Sequence, residues 1–410
     1  MPTSTTKTWL LIMVAALGYF VDIYDLILFQ VVKEASLIDL GISDEILRKN
    51  YKIELFNWQM SGMLLGGLIW GILGDKLGRL KTLFGSILLY SLANIANAYV
   101  WNIPSYATVR FIAGLGLAGE LGAGITLISE VMHKDKRGYG TMIMVTFGAL
   151  GAVFAYLVAE SFSSWKSAYW VGGIMGLALL ALRVGTMESD LFKAGKHEKN
   201  RGNFFLLFQS KARLLRYLAC IGMGLPVWYV VGVLIALIDS HFSTALNFPD
   251  SIQVGKAIMF VYLGLSAGDL LAGLLSQWFK SRLKVVLAYL IFAALVSGFY
   301  LSGFHSNNTS LIYGICGLLG ISTGYWALFV TISAEQFGTN IRATVANTVP
   351  NFVRGAVVPI TLLFKFLAES PWLGSIGSAI LVGILCIGLA AISTLYLKES
   401  FGKDLDFSEQ

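Results

Sequence analysis

The sequence predicts an all-helical membrane protein with twelve transmembrane helices in two pseudo-symmetric bundles of six. Three observations predict it. The chain is 56% hydrophobic and only 13% charged, with a mean hydropathy of +0.71, whereas soluble chains average about 25% charged. Apolar runs long enough to cross a bilayer, about 20 residues in a helix, recur along its whole length. The second half repeats landmarks of the first at matching places.

The runs lie near 9–32, 56–73, 82–100, 105–131, 139–160, 167–187, 213–239, 255–279, 285–304, 309–333, 343–364 and 373–397. An even number of spans places both termini on one side. Lys and Arg choose the side, because cytoplasmic loops are enriched in them. On the terminal side they crowd the segments around Lys76–Lys81, Lys134–Arg137, 193–216 and Lys280–Lys284. The opposite loops carry only Lys33, Arg48, Lys49, Lys52, Lys166, Lys256 and Lys365. Both termini are therefore expected in the cytoplasm. The first outer loop is read as 33–55. The polar, basic stretch 188–212 divides six spans from six, giving domains at 1–187 and 213–410 with a linker between them.

Several chemistries are excluded or disfavoured. Cys220, Cys316 and Cys386 sit in apolar runs without ligand spacing, so neither a disulfide framework nor a metal site is indicated. The four histidines fall in loops or span ends, and no phosphate-binding loop or nucleophile elbow appears. No enzyme activity, cofactor or nucleic-acid partner is expected. The basic residues follow topology.

Charges inside spans carry the functional reading, because an ionisable group at bilayer depth costs at least ~2.5–3.5 kcal/mol. The first span, G-Y-F-V-D-I-Y-D-L-I-L-F, holds Asp22 and Asp25 three residues apart, on one helix face. Glu120 and Arg110 share the fourth span, and Glu120 joins the two aspartates as a proton-coupling candidate. Arg354 stands alone in the eleventh span, in N-F-V-R-G-A-V-V-P. A guanidinium there needs a carboxylate or phosphate partner, from protein or substrate. Arg110 is, with Arg354, a substrate-binding candidate; it either pairs with an acid on the first helix or braces the first and fourth helices. Tyr24, Trp228, Tyr229, Tyr325 and Trp326 are expected as cavity walls; Pro226 beside Trp228 removes a helical hydrogen bond. Asp269 is read as a bridge to the basic residues at Lys280–Lys284.

The loop G-I-L-G-D-K-L-G-R-L-K, with Gly71, Gly74, Asp75, Gly78 and Arg79, is answered after the eighth span by G-L-L-S-Q-W-F-K-S-R-L-K. Glu130 and Arg137 after the fourth span are answered, at the same separation, by Glu335 and Arg342 after the tenth. These residues resemble the major facilitator superfamily of secondary transporters. The resemblance covers essentially the whole chain. It implies two six-helix bundles around a central site open alternately to each side, with the loop charges latching one side. V-D-I-Y-D-L is similar to the first helix of its proton-coupled metabolite symporters. The longer run, with N-W-Q-M-S-G-M-L-L-G-G, looks closest to the phagosomal nutrient transporter type, which imports amino acids or nucleosides. No acid follows Trp228 at the phosphate-symporter spacing, where Gly232 stands, and the fifth span lacks the Gly-Pro pair of drug antiporters.

The expected function is proton-driven uptake of a small polar metabolite by a monomer in the bacterial inner membrane, first an amino acid. Acids on the first and fourth helices would hold its ammonium and Arg354 its carboxylate. The alternatives are a proton symporter of an organic (poly)carboxylate or nucleoside, and an exporter of the same superfamily.

Overall fold

The computed structural model describes residues 5–77, 79–132, 137–187, 204–249, 252–304, 308–402 and 407–409. These residues form helices and turns, with no strand among them. In order the helices are α1 (Thr5–Asp39), α2 (Glu45–Leu77), α3 (Arg79–Asn97), α4 (Ile103–Leu117), α5 (Glu120–Val131), α6 (Arg137–Ser161), α7 (Trp165–Met187) and α8 (Lys211–Tyr229). There follow α9 (Ser243–Ala245), α10 (Val254–Trp278), α11 (Arg282–Leu301), α12 (Thr309–Thr323), α13 (Trp326–Glu335), α14 (Arg342–Gly355), α15 (Val357–Ala368) and α16 (Gly374–Tyr396). Among the described residues, ten helices, some bent, are long and apolar enough to cross a membrane. With α2 and α3 beside them, and bent pairs taken together, there are twelve rods.

Sequence punctuation sets several ends. Asn102 and Ser105 exchange side-chain and backbone hydrogen bonds in a capping box at the start of α4, with Pro104 in the first turn. Ser281 and Asn308 cap α11 and α12. Large apolar side chains such as Ile291, Leu295, Phe366, Ile384 and Leu395 stay exposed on the outside of the bundle, as a lipid-facing surface requires.

Helices α1 to α7 pack mainly on one another, α1 on α6, α2 on α4 and α3 on both α4 and α7. In the second half α10 lies on α12, and both α8 and α11 on α16. The α2–α4 and α10–α12 pairs are built alike: an added Cβ at Gly62 would meet the Phe111 carbonyl, and one at Gly264 the Gly317 carbonyl. Close backbone approach through glycine is a usual device between membrane helices. The halves meet where α14 crosses α2 and α5, and where α6 runs along α10.

Two expectations about elements change. The expected outer loop 33–55 is mostly helix: α1 continues to Asp39 and α2 begins at Glu45. Apolar runs mark only the lipid-buried part of a helix, and the charged turns beyond it are invisible to that signal. Several spans are also broken. The fourth parts between Leu117 and Glu120, and the tenth at Gly324–Tyr325. The seventh loosens into π-helical turns at Val230–Ile235 and Ile238–Phe242. Such turns inside an α-helix are frequent at functional sites.

Candidate functional site

Midway along the bundle, between the halves, side chains leave a cavity of about 20 Å3. Tyr19 and Ile23 of α1 line it with Trp228 of α8, Tyr262 of α10, Trp326 of α13 and Arg354 of α14. A space of that size holds about one water, so any ring must displace these side chains. Tyr19 fits because α6 presents Gly148, where a Cβ would strike its ring.

Arg354 is the centre of this site. It is 1% exposed, and its Nη2 lies 3.6 Å from Asp22 Oδ2 of α1. The same nitrogen donates to the Tyr19 hydroxyl at 3.4 Å, and the guanidinium lies 5.9 Å from the Trp326 ring. The ion pair is long, and neither Asp22 oxygen accepts a hydrogen bond among the described residues. A carboxylate joined to its cation so loosely can be replaced there by another carboxylate.

Asp25 does not share this site, which corrects the expectation of a common face. Three residues along a helix is about 60° of rotation, enough here to aim the two acids at different neighbours. Asp25 lies against Asn94 and Gly172, inside the first half. Glu120 is also elsewhere: Arg183 of α7 grips it with both nitrogens, one bond measuring 2.9 Å. Gly18 leaves the room for that pair. Arg110 donates to Gln59 and, at 3.4 Å, to the Tyr169 hydroxyl, while its guanidinium sits 4.7 Å from the Phe29 ring.

Of the predicted cavity walls, Trp228, Trp326 and Arg354 line the cavity. Tyr24, Tyr229 and Tyr325 do not; their hydroxyls donate to the carbonyls of Ala168, Ala379 and Met223. Tyr325 lies in the break before α13, and it turns away where Trp326 turns in. Asp269 is no bridge to the basic loop. Its Oδ1 accepts from Ala327 N at 2.7 Å, at the start of the half-helix α13, where a carboxylate is favoured. Tyr262 went unnoticed, because a tyrosine in an apolar run carries no sequence signal of its direction.

On the face nearest the two chain ends, α14 seals against the first half. An added Cβ at Gly67 would lie 2.7 Å from Asn351 Cβ, and at Gly71 3.4 Å from Thr348 Cγ2. Asn347 Nδ2 donates to the Gly67 carbonyl at 3.2 Å, and Asn351 Nδ2 to the Ala118 carbonyl at 2.8 Å. On this side Glu335 pairs with Arg282 at 2.9 Å, and Arg342 Nε donates to the Phe337 carbonyl at 3.2 Å. Gly74 packs near Thr82. Gly78 and the side chains of Asp75, Arg79, Glu130 and Arg137 lie outside the described residues.

The opposite face is also closed. Lys52 bonds Asp239 at 2.8 Å, and the buried Lys33 donates to the Ala236 carbonyl at 2.8 Å, beside the π-helical turns. Above them a vestibule of about 430 Å3 opens among α1, α2 and the turn after α8. Its cations Lys33, Arg48, Lys49 and Lys52 are all engaged by protein oxygens.

Comparison with known proteins adds the following. The family model described as "Major Facilitator Superfamily" matches residues 10–357. A 3-(3-hydroxy-phenyl)propionate transporter of Escherichia coli (strain K12) is 28% identical over 344 residues, 82% of this chain and 82% of its own. The niacin transporter NiaP of Acinetobacter baylyi is 26% identical over 388 residues, 84% of each chain. The solved structure of the proton:xylose symporter XylE, bound to 6-bromo-6-deoxy-D-glucose, superposes with a TM-score of 0.74 over 98% of both chains at 15% identity, a likeness of fold.

Proposed function

The chain belongs to the Major Facilitator Superfamily, and on that premise we propose that it takes up a small aromatic monocarboxylate together with a proton. It is a secondary transporter of small metabolites, built as a multi-pass membrane protein. The single observation that carries the finer reading is that Arg354, which lines an aromatic-walled cavity, has Asp22 as a loose partner at 3.6 Å. Arg binds a carboxylate through paired hydrogen bonds. Tyr19, Trp228, Tyr262 and Trp326 offer the faces on which a ring rests.

Coupling follows from charge. In a poorly solvated site, Arg354 needs one negative partner and tolerates two badly. A substrate carboxylate can take Arg354 only if Asp22 gives up its charge, and Asp22 does so by accepting a proton. The site then holds one cation, one anion and one neutral acid, with the net charge unchanged. The proton and the substrate enter together and leave together. Alternating access needs this linkage, because each ligand must bias the same conformational equilibrium.

The geometry weakens the amino-acid reading. It needs an acid for an ammonium, but Asp22 is committed to Arg354, Glu120 to Arg183, and Asp25 faces away from the cavity. The relatives named above are transporters of niacin and of a phenylpropionate, both aromatic compounds that carry a carboxylate, and this favours an organic acid. The remaining assignments of the reading are domains at 1–187 and 213–410, cytoplasmic termini and an inner-membrane location.

The test is uptake into proteoliposomes with and without an imposed pH gradient, using 3-(3-hydroxyphenyl)propionate, nicotinate, benzoate and a set of amino acids. Accumulation of an aromatic carboxylate driven by the gradient, and lost in Arg354→Lys, supports the reading. Accumulation of amino acids alone, or indifference to the gradient, overturns it.

A further inference from the structure

The contacts of Arg354 do not end in the cavity. Its Nη1 lies 3.4 Å from Asn351 Oδ1, one turn along α14. A guanidinium can only donate, so the Asn351 oxygen must face Arg354 and its Nδ2 must point the other way. That nitrogen donates to the Asn347 carbonyl at 2.8 Å and to the Ala118 carbonyl at 2.8 Å. Ala118 belongs to the other half and lies in the break between α4 and α5. One turn further on, Asn347 reaches the Gly67 carbonyl across the same seam. Asn351 is 1% exposed, in contact with the substrate-facing arginine on one side and the closure on the other.

The glycines make this seam all-or-none. An added Cβ at Gly67 would crowd Asn351 Cβ, and one at Gly122 would strike the Asn347 backbone. Helix surfaces this close cannot slide with their bonds half made; packed interfaces of this kind switch between discrete arrangements.

We infer that Asn351 is the positioning residue that transmits the state of the central site to this seam, because Arg354 holds its amide in the one orientation that bonds Ala118. When a ligand draws the guanidinium into the cavity, the Asn351 oxygen loses its donor. The amide is then held only by the two bonds of its nitrogen, its bond to Ala118 is weakened and the seam parts more readily. This step rests on Arg354 being the ligand's anchor. The wiring from Arg354 through Asn351 to the seam can be tested with no ligand at all.

The experiment places a single reporter at Gly71→Cys, which faces Thr348 across the closed seam. Full-length protein in detergent is labelled with a maleimide, and the rate is read in four backgrounds: parent, Arg354→Gln, Asn351→Ala and both. If Asn351 transmits, each single change speeds labelling several-fold, and the double variant labels no faster than Asn351→Ala alone. If the two effects multiply, as independent sites do, the inference is overturned. It is equally overturned if neither single change alters the rate. Arg354→Met and Asn351→Leu replace any corner that fails to purify as a folded monodisperse protein. A further arm adds 3-(3-hydroxyphenyl)propionate to the parent. No change there, with the four-way result intact, counts against the carboxylate reading and leaves the wiring standing.

Discussion

Asp22→Asn isolates the competition at the centre of the proposed cycle. The asparagine keeps the shape of the aspartate and mimics its protonated form at every pH. Two unit charges 3.6 Å apart attract by about 4–5 kcal/mol at an effective dielectric constant near 20. A substrate carboxylate must displace that interaction in the wild type whenever Asp22 is ionised. If only a third of it survives relaxation and local water, removing the competitor tightens binding about tenfold, since ~1.4 kcal/mol is a factor of ten. Wild-type affinity for 3-(3-hydroxyphenyl)propionate should therefore fall as pH rises from 6 to 8. In Asp22→Asn it should be about tenfold tighter at pH 8 and flat across that range. Trp228 and Trp326 line the cavity, so quenching of tryptophan fluorescence is a direct binding assay. In proteoliposomes the variant should exchange labelled for unlabelled substrate yet no longer accumulate it against a gradient. An Asp22→Asn protein that keeps the wild-type pH dependence, or still concentrates substrate, would refute the competition.

Two other predictions concern the frame around the site. Gly18→Ala drives a methyl into the Glu120–Arg183 pair; overpacking costs about 1–3 kcal/mol and splitting a buried pair about 3–5 kcal/mol, so the melting temperature should drop by several degrees, and a variant that melts with the wild type would show the pair to be unimportant. Glu399, beyond the last span, accepts from the Ser281 hydroxyl at 2.6 Å and from the amides of Arg282, Leu283 and Phe401; burial pushes its carboxyl up, but these donors outweigh it and hold the carboxyl below the usual range. A lowered folded-state value means that the contribution is complete above the ordinary carboxylate range and is lost as pH falls through the lowered one, so Glu399→Gln should melt earlier than wild type at pH 7 and by a shrinking margin in acid, as thermal melts across pH would show.

The helical membrane class was readable because its signal is compositional: long apolar runs and few charges. Asp22 and Arg354 were readable for the same reason, since a charge in such a run must find a partner. Direction was not readable. Asp25 sits three residues from Asp22, yet the two face different neighbours, because a helix face is narrower than the spacing suggests; Tyr325 and Trp326 part because the helix breaks between them. Glu120 found its partner on α7, a contact that no local pattern announces. Asn347, Asn351 and Arg354 are a polar stripe at helical spacing in N-T-V-P-N-F-V-R, and this was the available clue to the seam. It is easily overlooked, because a search for charges in apolar runs passes over uncharged amides.

Three of the bonds across the seams share a form. Asn347 reaches the carbonyl of Gly67, Asn351 that of Ala118, and Lys33 that of Ala236. In each, a polar side chain on one half meets only main chain on the other. Every amino acid carries that carbonyl, so no exchange of side chain at 67, 118 or 236 can delete the acceptor. A saturation scan should therefore be lopsided. Donor positions will reject nearly every replacement, and acceptor positions will respond to bulk alone. Methods that find contacts through correlated substitutions will be blind to these three, because the acceptor residue has no compensating change to make.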